Sequence, residues 1–404
     1  MEEDIGPFQI THWLQPKAVA IGQHIETREK VLIRTENATP NLEQEATILR
    51  ALSGGIGFQT LYWFGETHNQ KTIITNTVGM SLEDAFEKSN RFFDMSLVLE
   101  IASQLIFRLE WMHSHNLFHG KLTPDSFSLG GSRWQTPQVV LNGFQNIDTS
   151  ENAARKDLEA VADILVYLAI GPASWESFQA EKPDFVDIPS ALKGFILILS
   201  DQEINPADYL IPRAYFHAAR RSLAGRTILG GLGDPQERHS CLKYLASKDT
   251  NELFDTLGSK LVAVGSAFGD LTWGGDETKY LFESLDEIMA IYLVLLLRDK
   301  PTPKRRTYLM GAYHLPNRLW RDFRWYLCTG KRGAASIQIL LNLTVYKYMG
   351  VLLEVIPSYN RYWAKFLSET AYFQMKIDSD SYQFWRNAWI YWKHCSNFLS
   401  KTSM

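Results

Sequence analysis

Residues 103–130 read SQLIFRLEWMHSHNLFHGKLTPDSFSLG, and three further stretches accompany them in order along the chain. Residues 45–65 read EATILRALSGGIGFQTLYWFG, residues 78–86 read VGMSLEDAF, and residues 155–175 read RKDLEAVADILVYLAIGPASW. Short β-like runs precede or alternate with helical patterns in this part of the chain, and they cover residues 30–35, 72–77 and 138–141. The mixture predicts an α+β fold in which a small sheet is followed by a helical lobe.

Together the four stretches resemble the casein kinase 1 group of protein kinases. In that group a helix with an ion-pairing Glu runs into a GG-hydrophobic-G turn, as in 45–65, and a hinge is followed by (L/V)-G-x-S-L-E-D, as in 78–86. Residues 103–130 are similar to the helix and catalytic loop H-R-D-x-K-P-D-N-F, and residues 155–175 to the R-x-D-L-E-S helix with its trailing G-x-x-x-W. The resemblance covers residues 10–220 and implies a bilobal protein-kinase-like domain with a small β-rich N-lobe and a helical C-lobe.

Phosphoryl transfer in kinases uses a strand Lys paired with a helix Glu, a catalytic Asp, and an Asn and an Asp that hold Mg²⁺. On the resemblance, Glu45 is the helix Glu, but the other positions are altered. They carry Arg34 for the strand Lys, Lys121 for the catalytic Asp, Thr123 for the phosphate-contacting Lys, Ser126 for the Asn, and Asn142 for the second Asp. A one-residue shift would place Gly143 there instead, and either residue lacks the carboxylate that Mg²⁺ favours. Peptide phosphorylation by the usual mechanism is therefore not expected, and no cofactor or metal is predicted.

Three residues of the kinase-like loop have a structural interpretation. His119 and Asp157 match positions that, in kinases, join the catalytic loop to the helix beneath it, and Asp125 is expected to shape the same loop. Their predicted role is to satisfy buried backbone groups. Lys121 could attract an anion, but a solvated surface charge is the favoured interpretation.

The second half of the chain resembles no family that the sequence identifies. Residues 1–221 are predicted to be the casein kinase 1-like pseudokinase domain, residues 222–235 a glycine-rich connection, and residues 236–404 an all-α helical domain. The predicted helices there are 237–247, 251–267, 277–298, 317–329, 334–356, 359–376 and 382–399. Thr250 is a predicted N-cap. In the last helix a stripe at spacings of three and four predicts core packing, and Trp385 and Trp389 add a second flank that the core or a partner would cover.

Charge is unevenly distributed in this half, with acids in excess over residues 251–299 and bases in excess over residues 300–365. Aromatic residues interleave with the bases around residues 320–326, a combination that suits a polyanion. The candidate polyanion-binding residues are Lys304, Arg305, Arg306, Arg318, Arg321, Arg324, Lys331 and Arg332. The favoured alternative is that the acidic and basic segments pair with each other inside one domain.

Composition limits the remaining classes of protein. Hydrophobic residues make up 45% and charged residues 21% of the 404 residues, and the formal net charge is −4. The three cysteines are too few for a disulfide framework, and no apolar stretch reaches the ~20 residues that span a bilayer. No HExxH or G-x-S-x-G motif is present. An intracellular protein, cytoplasmic or nuclear, without a membrane partner is expected.

The sequence thus predicts a catalytically inactive kinase-like protein, a pseudokinase that acts as an interaction scaffold or allosteric regulator with a protein partner. One alternative is a repurposed enzyme or ligand-binding protein that uses the kinase-like cleft or the helical domain for other chemistry. A weaker alternative is binding of nucleic acid or another polyanion through residues 300–332.

Overall fold

The computed structural model describes residues 4–25, 27–37, 41–67, 69–130, 138–144, 147, 150, 152–171, 193–194, 244–245, 247–269, 275–298, 314–329, 335–356 and 359–401. These residues form a mixed α+β structure, with antiparallel strands in the N-terminal part and helices throughout the C-terminal part. The predicted connection at 222–235 and most of the predicted helix at 237–247 lie outside the described residues.

The chain divides into two compact units. The first, here called the split unit, combines residues 1–38, 67–70 and 234–404, so it is built from both ends of the sequence. The second, here called the central unit, comprises residues 39–66 and 71–233.

Four antiparallel strands open the split unit and follow one another as a meander. They are β1 (Asp4–Ile5), β2 (Phe8–Gln15), β3 (Val19–His24) and β4 (Lys30–Thr35). The strand predicted at 30–35 is confirmed, and its alternating Val31 and Ile33 side chains are fully buried. Gly22 faces Val31 across the β3–β4 pair, and a Cβ there would lie 2.7 Å from the Gln9 carbonyl oxygen. A close contact within the sheet therefore explains the glycine at position 22.

The central unit contains a second sheet and four helices among its described residues. Its elements are α1 (Leu42–Ala51), β5 (Leu61–Thr67), β6 (Gln70–Asn76), β7 (Val78–Ser81), α2 (Leu82–Lys88), α3 (Met95–Ser114), β8 (Phe127–Gly130), β9 (Val139–Leu141) and α4 (Ala153–Ile170), with the β5–β6 turn grouped in the split unit. Strands β7, β8 and β9 pair in that order, and α3 packs on α4. Buried Trp111 on α3 donates its indole N–H to the Leu52 carbonyl oxygen at 3.1 Å, which ties α3 to the end of α1.

Six helices of the split unit follow in the described part of the second half. They are α5 (Thr250–Gly269), α6 (Gly275–Arg298), α7 (Leu315–Thr329), α8 (Ala335–Val355), α9 (Asn360–Ile377) and α10 (Tyr382–Lys401). The predicted helices agree with these bounds to within two residues at either end. The predicted N-cap is wrong: Asp249, not Thr250, accepts the backbone N–H groups of Asn251 and Glu252, at 2.7 and 2.8 Å. An ionised carboxylate is also favoured at the positive end of the helix dipole, which explains the choice.

Aromatic side chains and a few buried polar groups hold these helices together. The Trp320 and Phe366 rings stack with centroids 4.8 Å apart, and the indole N–H of Trp392 donates to the buried Tyr346 hydroxyl at 2.5 Å. Lys347 on α8 forms an ion pair of 2.9 Å with Glu29, in the turn between β3 and β4. The split unit therefore joins the N-terminal meander to the C-terminal helices. Across the described ranges, no helix combines the length and apolar character needed to cross a lipid bilayer.

Candidate functional site

The loop after α3 is held in place by one buried carboxylate. Asp157, on α4 and 1% exposed, accepts the backbone N–H of His119 at 2.7 Å and that of Gly120 at 2.8 Å. Its Oδ2 atom also lies 3.0 Å from Nε2 of His113. Both carboxylate oxygens are therefore engaged by groups that a buried loop must satisfy, and Asp157 is not placed to act as a base on a ligand.

His119 connects this loop to the strand beside it. Its Nε2 atom lies 2.9 Å from the carbonyl oxygen of Asn142, just after β9, and its ring contacts buried Phe144 with centroids 6.1 Å apart. Burial lowers the pKa of His119 and is the largest influence on it, against the opposing effect of the Asn142 carbonyl. Between these partners Gly143 has φ +83°, and a Cβ there would lie 3.5 Å from Nε2 of His119.

The four altered loop positions lie close to these buried residues but differ in exposure. Lys121 and Thr123 are exposed, while Ser126 and Asn142 are half-buried. The Ser126 hydroxyl accepts the backbone N–H of Thr123 at 3.0 Å, and the Asn142 amide donates to the Ser128 hydroxyl at 2.7 Å. Asp125, the one acid of the sequence between 119 and 142, is exposed in the 3-10 turn of Pro124–Ser126. The loop thus presents one exposed cation, Lys121, one exposed carboxylate, Asp125, and neutral hydrogen-bonding groups.

Arg34 and Glu45, the predicted strand and helix pair, belong to different compact units. Arg34 lies on β4 opposite Val19, and Glu45 is buried in the first turn of α1, at 4% exposure. The pairing of the two side chains stays a prediction.

His113 was missed by sequence reasoning, although it contacts the central carboxylate of the loop. It lies on α3, with its ring 5.0 Å from that of Phe118, and 44 positions separate it from Asp157. No local spacing links two residues so far apart, so only the packing of α3 on α4 reveals the contact.

The predicted polyanion-binding residues are only partly within the described chain. Lys304, Arg305, Arg306, Lys331 and Arg332 lie outside it. Arg318 lies over the Phe254 ring at 5.5 Å, whereas Arg321 and Arg324 are exposed on α7. Arg321 approaches its neighbour Asp322 at 3.4 Å.

Asp322, in turn, accepts a hydrogen bond of 2.5 Å from the hydroxyl of Tyr292, which belongs to the acidic segment 251–299. Burial raises the pKa of Tyr292. This hydrogen bond and the contact of Arg318 join residues of the two segments, but neither is an ion pair between an acid of 251–299 and a base of 300–365, so that pairing stays a prediction.

No group of three or more His, Cys, Asp or Glu side chains is placed to hold a metal ion within the part of the chain that the structure describes. A scan against models of known protein families finds no family that matches this chain.

Proposed function

We propose that this chain is a catalytically inactive kinase-like protein of the casein kinase 1 type, a pseudokinase, which acts as an interaction scaffold or allosteric regulator. The proposal includes a bilobal kinase-like arrangement over residues 10–220. The observation that carries it is the loop at 119–126, which Asp157 holds through two backbone N–H groups while Lys121 takes the position of a catalytic carboxylate.

The placement of the four kinase-like stretches on the elements supports the fold part of the proposal. Residues 45–65 run from α1 into β5, and residues 78–86 run from β7 into α2. Residues 103–130 cover most of α3, the loop and β8, and the described portion of 155–175 lies on α4. The stretches 45–65 and 103–130 and the described part of 155–175 thus include the helices that the resemblance implies, which supports the proposal.

Electrostatics supports the proposed lack of phosphoryl-transfer activity. A Mg²⁺–nucleotide complex brings divalent charge to a site where kinases supply two Asp and one Asn, and on the resemblance those three positions carry Lys121, Asn142 and Ser126 here. The cation of Lys121 would repel the metal, and the neutral groups already hydrogen-bond within the protein, to Thr123 and Ser128. Metal-dependent phosphoryl transfer has no anionic ligand set at this site.

The first experiment is a thermal-shift titration with Mg-ATP, run beside an active casein kinase 1 enzyme. We expect no saturable rise in melting temperature. Binding would be detected if it occurred, because a ligand at 100 times its Kd stabilises a protein by about 2.7 kcal/mol. A saturable rise together with phosphate transfer from labelled ATP to casein would refute the inactive assignment.

A scaffold must also have a partner. Proteins that co-purify with the full chain are identified and then reconstituted from purified components, with affinity measured by calorimetry. The variant Asp157→Asn, which disturbs the loop, should weaken a partner that docks on the kinase-like part. If every purified candidate fails to bind the intact chain, the scaffold assignment is wrong.

A further inference from the structure

The last two helices, α9 and α10, form an antiparallel hairpin whose outer side carries bases and aromatic rings. On α9 the exposed residues Arg361, Lys365, Tyr372 and Lys376 recur at spacings of four and seven, so they share one side of the helix. On α10, Arg386, Trp389 and Lys393 also recur at three and four. These seven residues are called the α9–α10 face.

At the centre of this face the side chains form a continuous row. The Tyr372 and Trp389 rings lie 5.7 Å apart, and each has an ammonium group over it. Nζ of Lys376 is 5.4 Å from the Tyr372 ring centre, and Nζ of Lys393 is 4.9 Å from that of Trp389. The order cation, ring, ring, cation therefore runs across both helices.

The charge of the face is positive, and one of its bases, Lys365, pairs with Glu369 at 3.9 Å. Five of its seven residues are bases, and Glu369 is the acid that lies between them on α9. Glu369 accepts the indole N–H of Trp320 at 3.1 Å, which directs it to the neighbouring helix α7. Throughout the described chain neither Lys376 nor Lys393 forms an ion pair, so both charges are free to meet an anion.

We infer that the α9–α10 face binds single-stranded nucleic acid. Nucleobases would stack on Tyr372 and Trp389, and phosphates would bind the flanking lysine and arginine side chains. Such a ligand has flat π-faces and a regularly charged backbone. In the row, the rings match the π-faces and the ammonium groups match the charges. An acidic polypeptide would use the cations but leave the rings unused, and a duplex would hide the base faces. Because every nucleobase has a π-face that can stack on these rings, binding should tolerate different sequences.

The relative strengths of the cation–ring and base–ring contacts favour displacement of the lysine ammonium groups from the rings by nucleobases. A cation over an exposed ring is a weaker contact than a base stacked on an aromatic side chain. A base can therefore replace the ammonium group on Tyr372 or Trp389, and the long lysine side chain can move to the adjacent phosphate. This surface is separate from the residues that carry the pseudokinase proposal, so either inference can fail alone.

The test is fluorescence anisotropy of the full chain with labelled 12-residue oligo-dT and oligo-U, which separates DNA from RNA as the source of the single strand. We expect saturable binding whose logarithmic dependence on salt has a slope of about −0.7 for each phosphate neutralised. Replacing both rings, in Tyr372→Ala with Trp389→Ala, should weaken binding by about 30-fold or more. Replacing both lysines, in Lys376→Gln with Lys393→Gln, should reduce the slope by about 1.4.

Matched controls come from α6, where Tyr280 is 48% exposed and Lys279 is its neighbour. Tyr280→Ala and Lys279→Gln should leave affinity and slope unchanged. Circular dichroism checks that each variant is folded, and the single variant Tyr372→Ala replaces the double variant if the latter unfolds.

Ligand-side controls keep the outcome decisive. An abasic strand of equal length should bind more weakly by the same factor as the loss of both rings. Equal binding of the abasic strand, equal competition by poly-glutamate, tighter binding of a duplex, or no binding of the wild-type chain would each overturn the inference.

Discussion

The substitution Gly57→Ala is expected to destabilise the central unit strongly. Gly57 has φ +80°, and a Cβ there would lie 1.8 Å from Nε of Arg108 and 2.3 Å from its Cζ. Arg108 is fully buried on α3 and donates from Nε to the Val139 carbonyl oxygen at 3.0 Å and from Nη2 to Gln104 Oε1 at 3.2 Å. No rotation of a methyl group relieves such an overlap, so the guanidinium must leave its place.

Two contributions set the size of the effect. Holding a non-glycine residue in the left-handed region costs roughly 1–2 kcal/mol. Displacing Arg108 also breaks at least one buried hydrogen bond of a charged group, which costs about 1.5–3 kcal/mol. The sum, roughly 3–5 kcal/mol, is a large part of the ~5–15 kcal/mol that stabilises a domain.

Native-state hydrogen exchange with mass spectrometry measures this loss, because peptides of α3 report on the central unit alone. The matched control is Gly171→Ala, where φ is +79° and the nearest atom to a Cβ, the Arg91 carbonyl oxygen, is 3.7 Å away. That variant should show only the backbone cost of its φ +79°, ψ 166° conformation, about 1–3 kcal/mol. In an Arg108→Ala background, Gly57→Ala should fall to its backbone cost alone. If both glycine variants lower the opening free energy of α3 equally, the overlap argument is refuted.

Three further predictions concern a helix cap, a buried carboxylate and a buried histidine. Asp249→Ala should cost about 1 kcal/mol of unfolding free energy in urea titrations, whereas Thr250→Ala should cost less than about 0.5 kcal/mol, and the reverse order would restore Thr250 as the cap. Asp157→Asn should destabilise the central unit by about 2–4 kcal/mol, because the amide presents a donor to the N–H groups of His119 and Gly120, and an unchanged melting temperature would contradict this. The pKa of His119 is lowered in the folded protein, so on acidification the unfolded chain binds this proton at a higher pH than the folded chain does. Stability should therefore fall as the pH drops below about 6.5, and His119→Asn should flatten that dependence.

Elements defined by local pattern could be predicted from the sequence, and contacts between distant residues could not. The helix at 382–399 was found from its apolar spacing. Of its predicted stripe, Ala388 and Trp392 are buried, whereas Phe384, Tyr391 and Cys395 are half-buried. Asp157 was singled out through the resemblance, yet its contact with His113 depends on how α3 meets α4. Asp249 was missed as a cap because Asp and Thr are both good caps and stand side by side.

The composition of the compact units was the least predictable feature. A boundary at residues 222–235 was predicted from local glycine content, but that segment lies outside the described residues. The grouping of residues 1–38 with residues 234–404 depends on contacts such as that between Glu29 and Lys347, which no sequence window contains.

This discontinuous unit has a consequence for how the protein is made. A ribosome releases the chain from its N-terminus, so the meander emerges while its helical neighbours are still untranslated. Glu29 and Lys347 are 318 positions apart, and contacts of such separation close late and slowly. The contact of the meander with α8 must therefore wait until the last helices arrive. A truncated message that stops before α8 would yield a chain whose beginning, and not only its end, lacks a native contact.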